Sequence, residues 1–133
     1  MNFDNKRQIQ ILILSGIVIS ILDAIYLAST KDFYNRIVKK IQGNKINPRY
    51  GSILMCYLLM IFGLNYFILQ NKTLKDDQKV KNAFLLGLLV YGVFDSTCYA
   101  IFDNWSLKAV LMDTFWGAIL FSATTLITLK LIK

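Results

Sequence analysis

Four apolar runs of about 20 residues each, separated by charged segments, constrain this chain more than any other feature. The runs cover residues 9–28, 50–69, 83–102 and 107–129. At 1.5 Å per residue, a helix of about 20 residues crosses a hydrocarbon core of ~30 Å. The runs lack the alternation of membrane β-strands. The sequence therefore predicts an all-α fold, a four-helix transmembrane bundle that forms one domain over residues 1–133.

Composition agrees with this prediction. Hydrophobic residues make up 56% of the chain, above the roughly 45–50% of soluble domains, and charged residues only 17%. The net charge of +7 comes from basic residues that flank the apolar runs and do not cover one amphipathic face. This arrangement predicts membrane lipids with anionic headgroups as partners, and no nucleic acid. The expected location is a membrane, with several passes.

A short amphipathic segment follows the first run. Within residues 32–42, apolar side chains recur at helical spacing and basic side chains fall on the opposite face. Ser29, Thr30 and Asp32 are candidate caps for its start, and Gly43 suits its end. The pattern predicts a separate short helix lying in the membrane interface. The alternative is a solvated helix packed on the bundle.

The short connections make neighbouring helices antiparallel. We call end X the end of the bundle that carries both termini and residues 70–82. End Y carries residues 29–49 and the turn at residues 103–106, where Trp105 suits the headgroup level. Eight basic residues fall at end X and seven at end Y. This near-equality predicts no orientation in the membrane.

Three aspartates interrupt the apolar runs. Asp23, Asp95 and Asp113 each lie five to seven residues from the end of their run that faces end Y. At 1.5 Å per residue, all three lie about 8–10 Å below end Y, and Tyr57 reaches the same level. An aspartate facing lipid at the helix centre costs roughly 2.5–3.5 kcal/mol. We therefore expect these carboxyl groups to point inward and to meet.

A candidate binding site follows from this depth and from the residues that share the faces of the aspartates. No lysine or arginine occurs at that depth, so hydroxyl and indole donors must serve the acids, or the acids must share protons. We expect at least one aspartate to be protonated at neutral pH. A purely structural polar layer is the alternative, and Trp116 and the tyrosines also fit simple packing. The candidate binding residues are Asp23, Tyr57, Tyr91, Asp95, Thr97, Asp113 and Trp116.

The cysteine and histidine content limits which metal sites and catalytic groups the chain can form. The chain has two cysteines and no histidine, which excludes the usual zinc sites and histidine-based triads. We expect no metal and no cofactor. Cys56 and Cys98 both lie in apolar runs, so we predict free thiols protected by burial. A disulfide between them is the alternative.

The residues around the aspartates also carry a family resemblance. From about Ile21 to Leu120, the chain resembles the small bacterial membrane proteins grouped as domain of unknown function 2177. The resemblance implies four helices and brings no established activity. The matching residues are Leu22-Asp23, Tyr26, Phe33-Tyr34, Pro48, Tyr57, Gly63-Leu64, Gly87, Tyr91-Gly92, Asp95, Thr97, Trp105, Asp113 and Trp116-Gly117.

Three positions depart from the pattern of that family. Tyr26 stands where the family usually has tryptophan, and Cys98 where it tends to have asparagine. The proline that usually follows the tryptophan at position 105 is missing. The change at Cys98 implies that Asp95 lacks a polar partner.

Three functions fit these observations. The first is a unit that binds or transports protons or a small molecule through the aspartates, working as a homo-oligomer because one small bundle barely encloses a cavity. The second is an accessory subunit of a larger membrane complex. The third is a lipid-modifying membrane enzyme, and it ranks last because the chain lacks the histidine, cysteine or metal set that most such chemistry uses.

Overall fold

The computed structural model describes residues 3–133, which form four α-helices and no strand. Each helix is long and apolar enough to cross a membrane, which confirms the predicted all-α fold. Their bounds are α1 Phe3–Gln42, α2 Tyr50–Leu64 with a π-helical segment Asn65–Leu69, α3 Asp76–Ile101 and α4 Leu107–Ile132.

The first helix is longer than predicted. Residues 32–42 are the last turns of α1, so the expectation of a separate interfacial helix is wrong. The hydroxyl groups of Ser29 and Thr30 each donate to the carbonyl four residues earlier, at 2.8 Å. They therefore bond within a continuing helix and do not cap a new one. The predicted end is confirmed, because Gly43 follows α1 with φ of 83°, the usual glycine position after a helix.

Local hydrogen bonds fix the starts of α3 and α4. The backbone N–H of Lys75 donates to Gln78 Oε1 at 3.0 Å, and Asp76 places a negative charge in the first turn. Both features stabilise a helix N-terminus, so α3 begins in the charged connector, before its apolar run. At the start of α4, the N–H of Ala109 donates to Ser106 Oγ at 3.0 Å, which caps that helix.

The closest helix pair is α3 with α4, and two glycines make its close approach possible. A methyl group built on Gly87 would lie 2.7 Å from the carbonyl carbon of Gly117 and 2.9 Å from Cβ of Phe121. A methyl group on Gly117 would overlap the ring of Tyr91. The two backbones thus touch where only glycine fits. Helix α1 packs along α4, and α2 packs more lightly against α1.

A buried amide fastens α2 to α1 where the π-helical segment begins. Asn65 is buried, and its Nδ2 donates to Ser15 Oγ on α1 at 3.0 Å and to the Ile61 carbonyl at 2.8 Å. Nearer end X, Gln70 Nε2 donates to the Gln8 carbonyl at 3.0 Å. Hydrogen bonds of this kind hold apolar helices together where the hydrophobic effect between them is weak.

The two cysteines are both free, as predicted, but their surroundings differ. Cys98 is buried between helices, whereas Cys56 is exposed on the outer face of α2. The expectation that burial in the bundle protects Cys56 is therefore wrong. An apolar run in a membrane helix leaves the burial of a residue open, because lipid and protein are equally good surroundings for an apolar side chain.

Candidate functional site

The three aspartates that interrupt the apolar runs are all buried inside the bundle. The exposed fraction is 0% for Asp95, 6% for Asp23 and 8% for Asp113. They come from three different helices, α3, α1 and α4. The ion pairs Lys72–Asp4 and Lys133–Asp76 lie at end X and involve none of these three aspartates. Hydrogen bonds to the three buried carboxyl groups must therefore come from uncharged neighbours.

Asp23 has two hydrogen-bond donors. The Tyr57 hydroxyl on α2 donates to one carboxyl oxygen, and Trp116 Nε1 on α4 donates to the other at 3.0 Å. The predicted approach of Asp23 to Tyr57 is therefore confirmed. The carboxyl group of Asp23 ties three helices together, which is the arrangement expected of a satisfied buried acid.

Asp113 lies at one end of a chain of tyrosine hydroxyls. The Tyr26 hydroxyl donates to Asp113 Oδ1 at 3.1 Å, and the Tyr34 hydroxyl is hydrogen-bonded to that of Tyr26 at 2.7 Å. Tyr34 lies two helical turns further toward end Y on α1 and is half-buried. The ring of Tyr26 also stacks on Trp116, with centroids 4.7 Å apart. This stack brings the surroundings of Asp113 and Asp23 into contact.

Asp95 has neighbours but no hydrogen-bond partner. Its carboxyl group lies beside the Asp113 carboxyl and the Trp105 indole, yet neither of its oxygens accepts a hydrogen bond from the described residues. Trp105 Nε1 and Thr114 Oγ1 are likewise buried and without a partner among residues 4–133. Burying a carboxyl group without a hydrogen-bond partner lowers the stability of the folded protein. Unlike Asp23, Asp95 is not explained by its contribution to stability.

The structure brings most of the predicted site residues together but leaves Thr97 outside. Thr97 is exposed, and its hydroxyl donates to the Val93 carbonyl of its own helix at 2.6 Å. Tyr91 lies in the bundle, where its ring packs on Gly117 and its hydroxyl donates to Met60 Sδ at 3.7 Å. Tyr91 therefore packs beside the aspartates and makes no hydrogen bond to them.

Three contributors, Trp105, Tyr34 and Tyr26, were absent from the predicted site. The sequence predicts Trp105 at the headgroup level, but its N–H is buried and its ring packs near Phe94 and Phe102, with both centroids 6.4 Å away. Tyr26 lies three residues after Asp23, on the same helix face, so spacing alone could have included it. Spacing could not have identified Tyr34, because the sequence predicts a separate interfacial helix for residues 32–42, whereas Tyr34 lies in α1.

A family model described as a predicted membrane protein, DUF2177, matches residues 8–130. The chain belongs to the DUF2177 family. The match confirms the resemblance seen around the aspartates and extends it to nearly the whole described chain. No curated protein and no solved structure matches the chain. The family description and the four membrane-length helices agree, and the function of this DUF2177 member must be argued from its buried acids.

Proposed function

We propose that this DUF2177 protein crosses the membrane several times and that its buried aspartates bind and release a proton. Asp95 and Asp113 form the proton-binding pair. Tyr26 and Tyr34 connect the pair toward end Y, and Asp23 holds the surrounding helices in place. The protein would act as a proton-binding unit, alone or as the proton-coupled part of a transporter.

The observation that supports this proposal most directly is the state of Asp95. Its side chain is completely buried, its oxygens accept no hydrogen bond from residues 4–133, and it lies next to a second carboxyl group. Two adjacent carboxylates repel each other, and burial removes the water that would stabilise either charge. One shared proton removes one of the two charges and gives the pair a donor. Holding that proton is the simplest way in which the pair can exist inside the bundle.

The tyrosine hydroxyls support exchange of the proton. The hydroxyls of Tyr34 and Tyr26 and the carboxyl of Asp113 form a continuous hydrogen-bonded chain, with steps of 2.7 and 3.1 Å. A hydroxyl can donate and accept at once, so such a chain passes a proton by successive transfers. The last step joins Asp113 to Asp95, which lies beside it. The proposed route therefore runs from half-buried Tyr34 to fully buried Asp95.

Infrared difference spectroscopy of the purified protein tests the proton-binding pair. We expect the carbonyl band of a protonated carboxyl group at neutral pH in the wild type, its loss in Asp95→Asn, and a shift of its frequency in Asp113→Asn, where Asp95 stays buried but loses the neighbouring carboxyl group. Asp77→Asn is the matched control, because it makes the same change at an exposed position of the same helix and should leave the band unaltered. A wild-type spectrum with only ionised carboxylates at neutral pH would refute the proposal.

The tyrosine route has a separate readout in the same experiment. When the protein is moved into D₂O, Tyr26→Phe should keep the carboxyl band but slow its hydrogen–deuterium shift. Tyr50→Phe is the control, since Tyr50 is a highly exposed tyrosine at the start of α2. Equal exchange rates in the wild type and both variants would remove Tyr26 from the route, while the proton-binding pair would stand.

A second candidate function, an accessory subunit, is favoured by the loosely packed outer face of α2. Within α2 itself only Leu64 is buried. Apolar residues of α1 and α2 line an open groove of about 670 Å³, including Ile17, Leu58 and Phe62. The small, exposed Ser20 also lines the groove, and small residues allow another helix to approach closely. A partner helix, from a second copy or from another subunit, would fit this face.

A thiol placed in the groove tests this second candidate for a second copy of the chain. Leu58 is exposed and lines the groove, whereas Cys56 lies on the opposite side of α2. Leu58→Cys combined with Cys56→Ser should give a linked dimer with a membrane-permeant bismaleimide in native membranes. Cys56→Ser alone is the control and should give none, because its remaining thiol, Cys98, is buried. No linked dimer from the combined variant would argue against a second copy on this face.

A further inference from the structure

A second polar region lies at end X, far from the aspartate cluster along the helices. Here the start of α1, the end of the π-helical segment, the start of α3 and the end of α4 surround a pocket of about 140 Å³. Its inner wall is apolar, with Ile11, Leu69 and Leu129 among the lining residues. Its rim is charged. The pocket thus joins an apolar surface to a polar opening at the end of the bundle.

The rim carries more positive than negative charge. Four basic side chains line the pocket, Arg7, Lys72, Lys79 and Lys133, against the two acidic side chains Asp4 and Asp76. Both acids are already engaged, since Lys72 lies 3.6 Å from Asp4 and Lys133 lies 3.2 Å from Asp76. Arg7 and Lys79 form no ion pair within residues 4–133. These two cations are therefore available to an anion.

Lys79 is held in position at the pocket wall. Its Nζ donates to the Leu69 carbonyl at 3.0 Å, which uses one of the three ammonium donors and leaves two. The guanidinium of Arg7 adds a planar fork of donors, which matches two oxygens of a phosphate at once. The Gln70–Gln8 hydrogen bond of 3.0 Å holds the adjoining backbone together. Arg7 and Lys79 thus line one pocket, and Lys79 is held there by its own hydrogen bond.

We infer that this pocket binds the phosphate of an anionic phospholipid. Arg7 and Lys79 contact the phosphate oxygens, and the lipid chains run along exposed apolar side chains just below the rim, Ile9, Leu12 and Leu131 among them. The rim lies next to the first apolar run, which begins at Ile9, and beyond the fourth, which ends at Leu129. That is the level at which the headgroups of a bilayer lie. Exposed apolar side chains next to a cationic rim favour a lipid over free phosphate.

Native mass spectrometry of the purified full chain in mild detergent tests the site. Phosphatidylglycerol, phosphatidylcholine and inorganic phosphate are added separately, and retained adducts are counted. We expect phosphatidylglycerol to be retained, and Arg7→Gln with Lys79→Gln to weaken its apparent Kd at least about tenfold, the effect of one lost charge-assisted contact. Glutamine keeps a hydrogen-bond donor at each position, so the scaffold is preserved.

The matched control removes the same charge from the same end of the bundle. Lys81 and Lys130 are exposed at end X and do not line the pocket. Lys81→Gln with Lys130→Gln should leave phosphatidylglycerol retention within about twofold of the wild type, well below the loss expected of one charge-assisted contact. An equal loss in both double variants would show diffuse attraction to charge and overturn the site. Equal retention of phosphatidylcholine, or displacement of the lipid by inorganic phosphate, would also overturn it.

A charge-retaining variant guards against a misfolded test protein. Arg7→Lys with Lys79→Arg keeps both cations at the rim while changing both side chains. It should retain phosphatidylglycerol, with an intermediate loss because lysine lacks the planar fork of arginine. If this variant loses phosphatidylglycerol as completely as the glutamine variant does, retention depends on side-chain shape at these positions and not on their charge. That result would contradict a phosphate contact.

Discussion

Gly87→Ala should destabilise the protein although it adds only one methyl group. That methyl group would lie 2.7 Å from the backbone carbonyl carbon of Gly117 and 2.9 Å from Phe121 Cβ. Backbone atoms of α4 cannot rotate away, so the two helices must separate at their closest point. Overpacking of this kind costs about 1–3 kcal/mol. Thermal unfolding in detergent, followed by tryptophan fluorescence, should show a clearly lower Tm.

Gly63→Ala is the matched control for this prediction. Gly63 lies within α2, and a methyl group built there meets no other atom within 4 Å. Because alanine is the better helix former, by up to about 1 kcal/mol, this variant should be as stable as the wild type or slightly more stable. A Gly87→Ala protein with the stability of Gly63→Ala would show that the α3–α4 contact is looser than the structure has it.

The glycine contact also positions the proton-binding pair. By letting α3 and α4 touch at Gly87 and Gly117, it brings the two helices close along their length. Two turns beyond Gly87, Asp95 is then completely buried beside Asp113. A wider separation would admit water between these carboxyl groups, and water would stabilise their ionised forms. Gly87→Ala should therefore weaken proton retention as well as stability.

The helices could be predicted because their signals are local. Run length fixed the existence of the four spans, and Gly43 marked the end of α1. The continuity of α1 could not be read from its sequence. The hydroxyls of Ser29 and Thr30 can either cap a new helix or bond to the preceding turn of a continuing one. Packing of the end of α1 against the turn at end Y favours the continuing helix. Asn104 Nδ2, for example, donates to the Lys40 carbonyl at 3.3 Å.

The site was predictable only in part, for a similar reason. Depth along each run correctly brought Asp23 to Tyr57, since rise per residue is nearly constant in a helix. The direction in which a side chain points around the helix axis is the second requirement, and Thr97 does not meet it. Thr97 lies two residues after Asp95, and residues two apart do not share a helix face. The Trp105 N–H is buried because the turn folds back onto α3. The periodicity of the sequence does not predict the conformation of a turn.

The same substitution at two aspartates should have opposite consequences for stability and proton binding. Asp23 accepts hydrogen bonds from Tyr57 and Trp116. In Asp23→Asn the amide oxygen can accept from Trp116, but the NH₂ group then makes the Tyr57 hydroxyl an acceptor and leaves the hydroxyl proton without a partner. Leaving a buried donor unsatisfied costs about 1–3 kcal/mol. Asp23→Asn should therefore lower the Tm, while the protonated carboxyl band of Asp95 and Asp113 remains.

Asp95→Asn should behave in the reverse way. The Asp95 carboxyl accepts no hydrogen bond from residues 4–133, so the substitution leaves no donor unsatisfied. The new amide resembles a protonated carboxyl and can donate to the neighbouring Asp113. Stability should be unchanged or higher, yet the titratable proton is gone and the carboxyl band should disappear. Loss of the band without loss of stability would assign Asp95 to proton binding and not to folding. If Asp95→Asn lowers the Tm as much as Asp23→Asn does, Asp95 is part of a structural polar layer, and the proton-binding role would have to be given up.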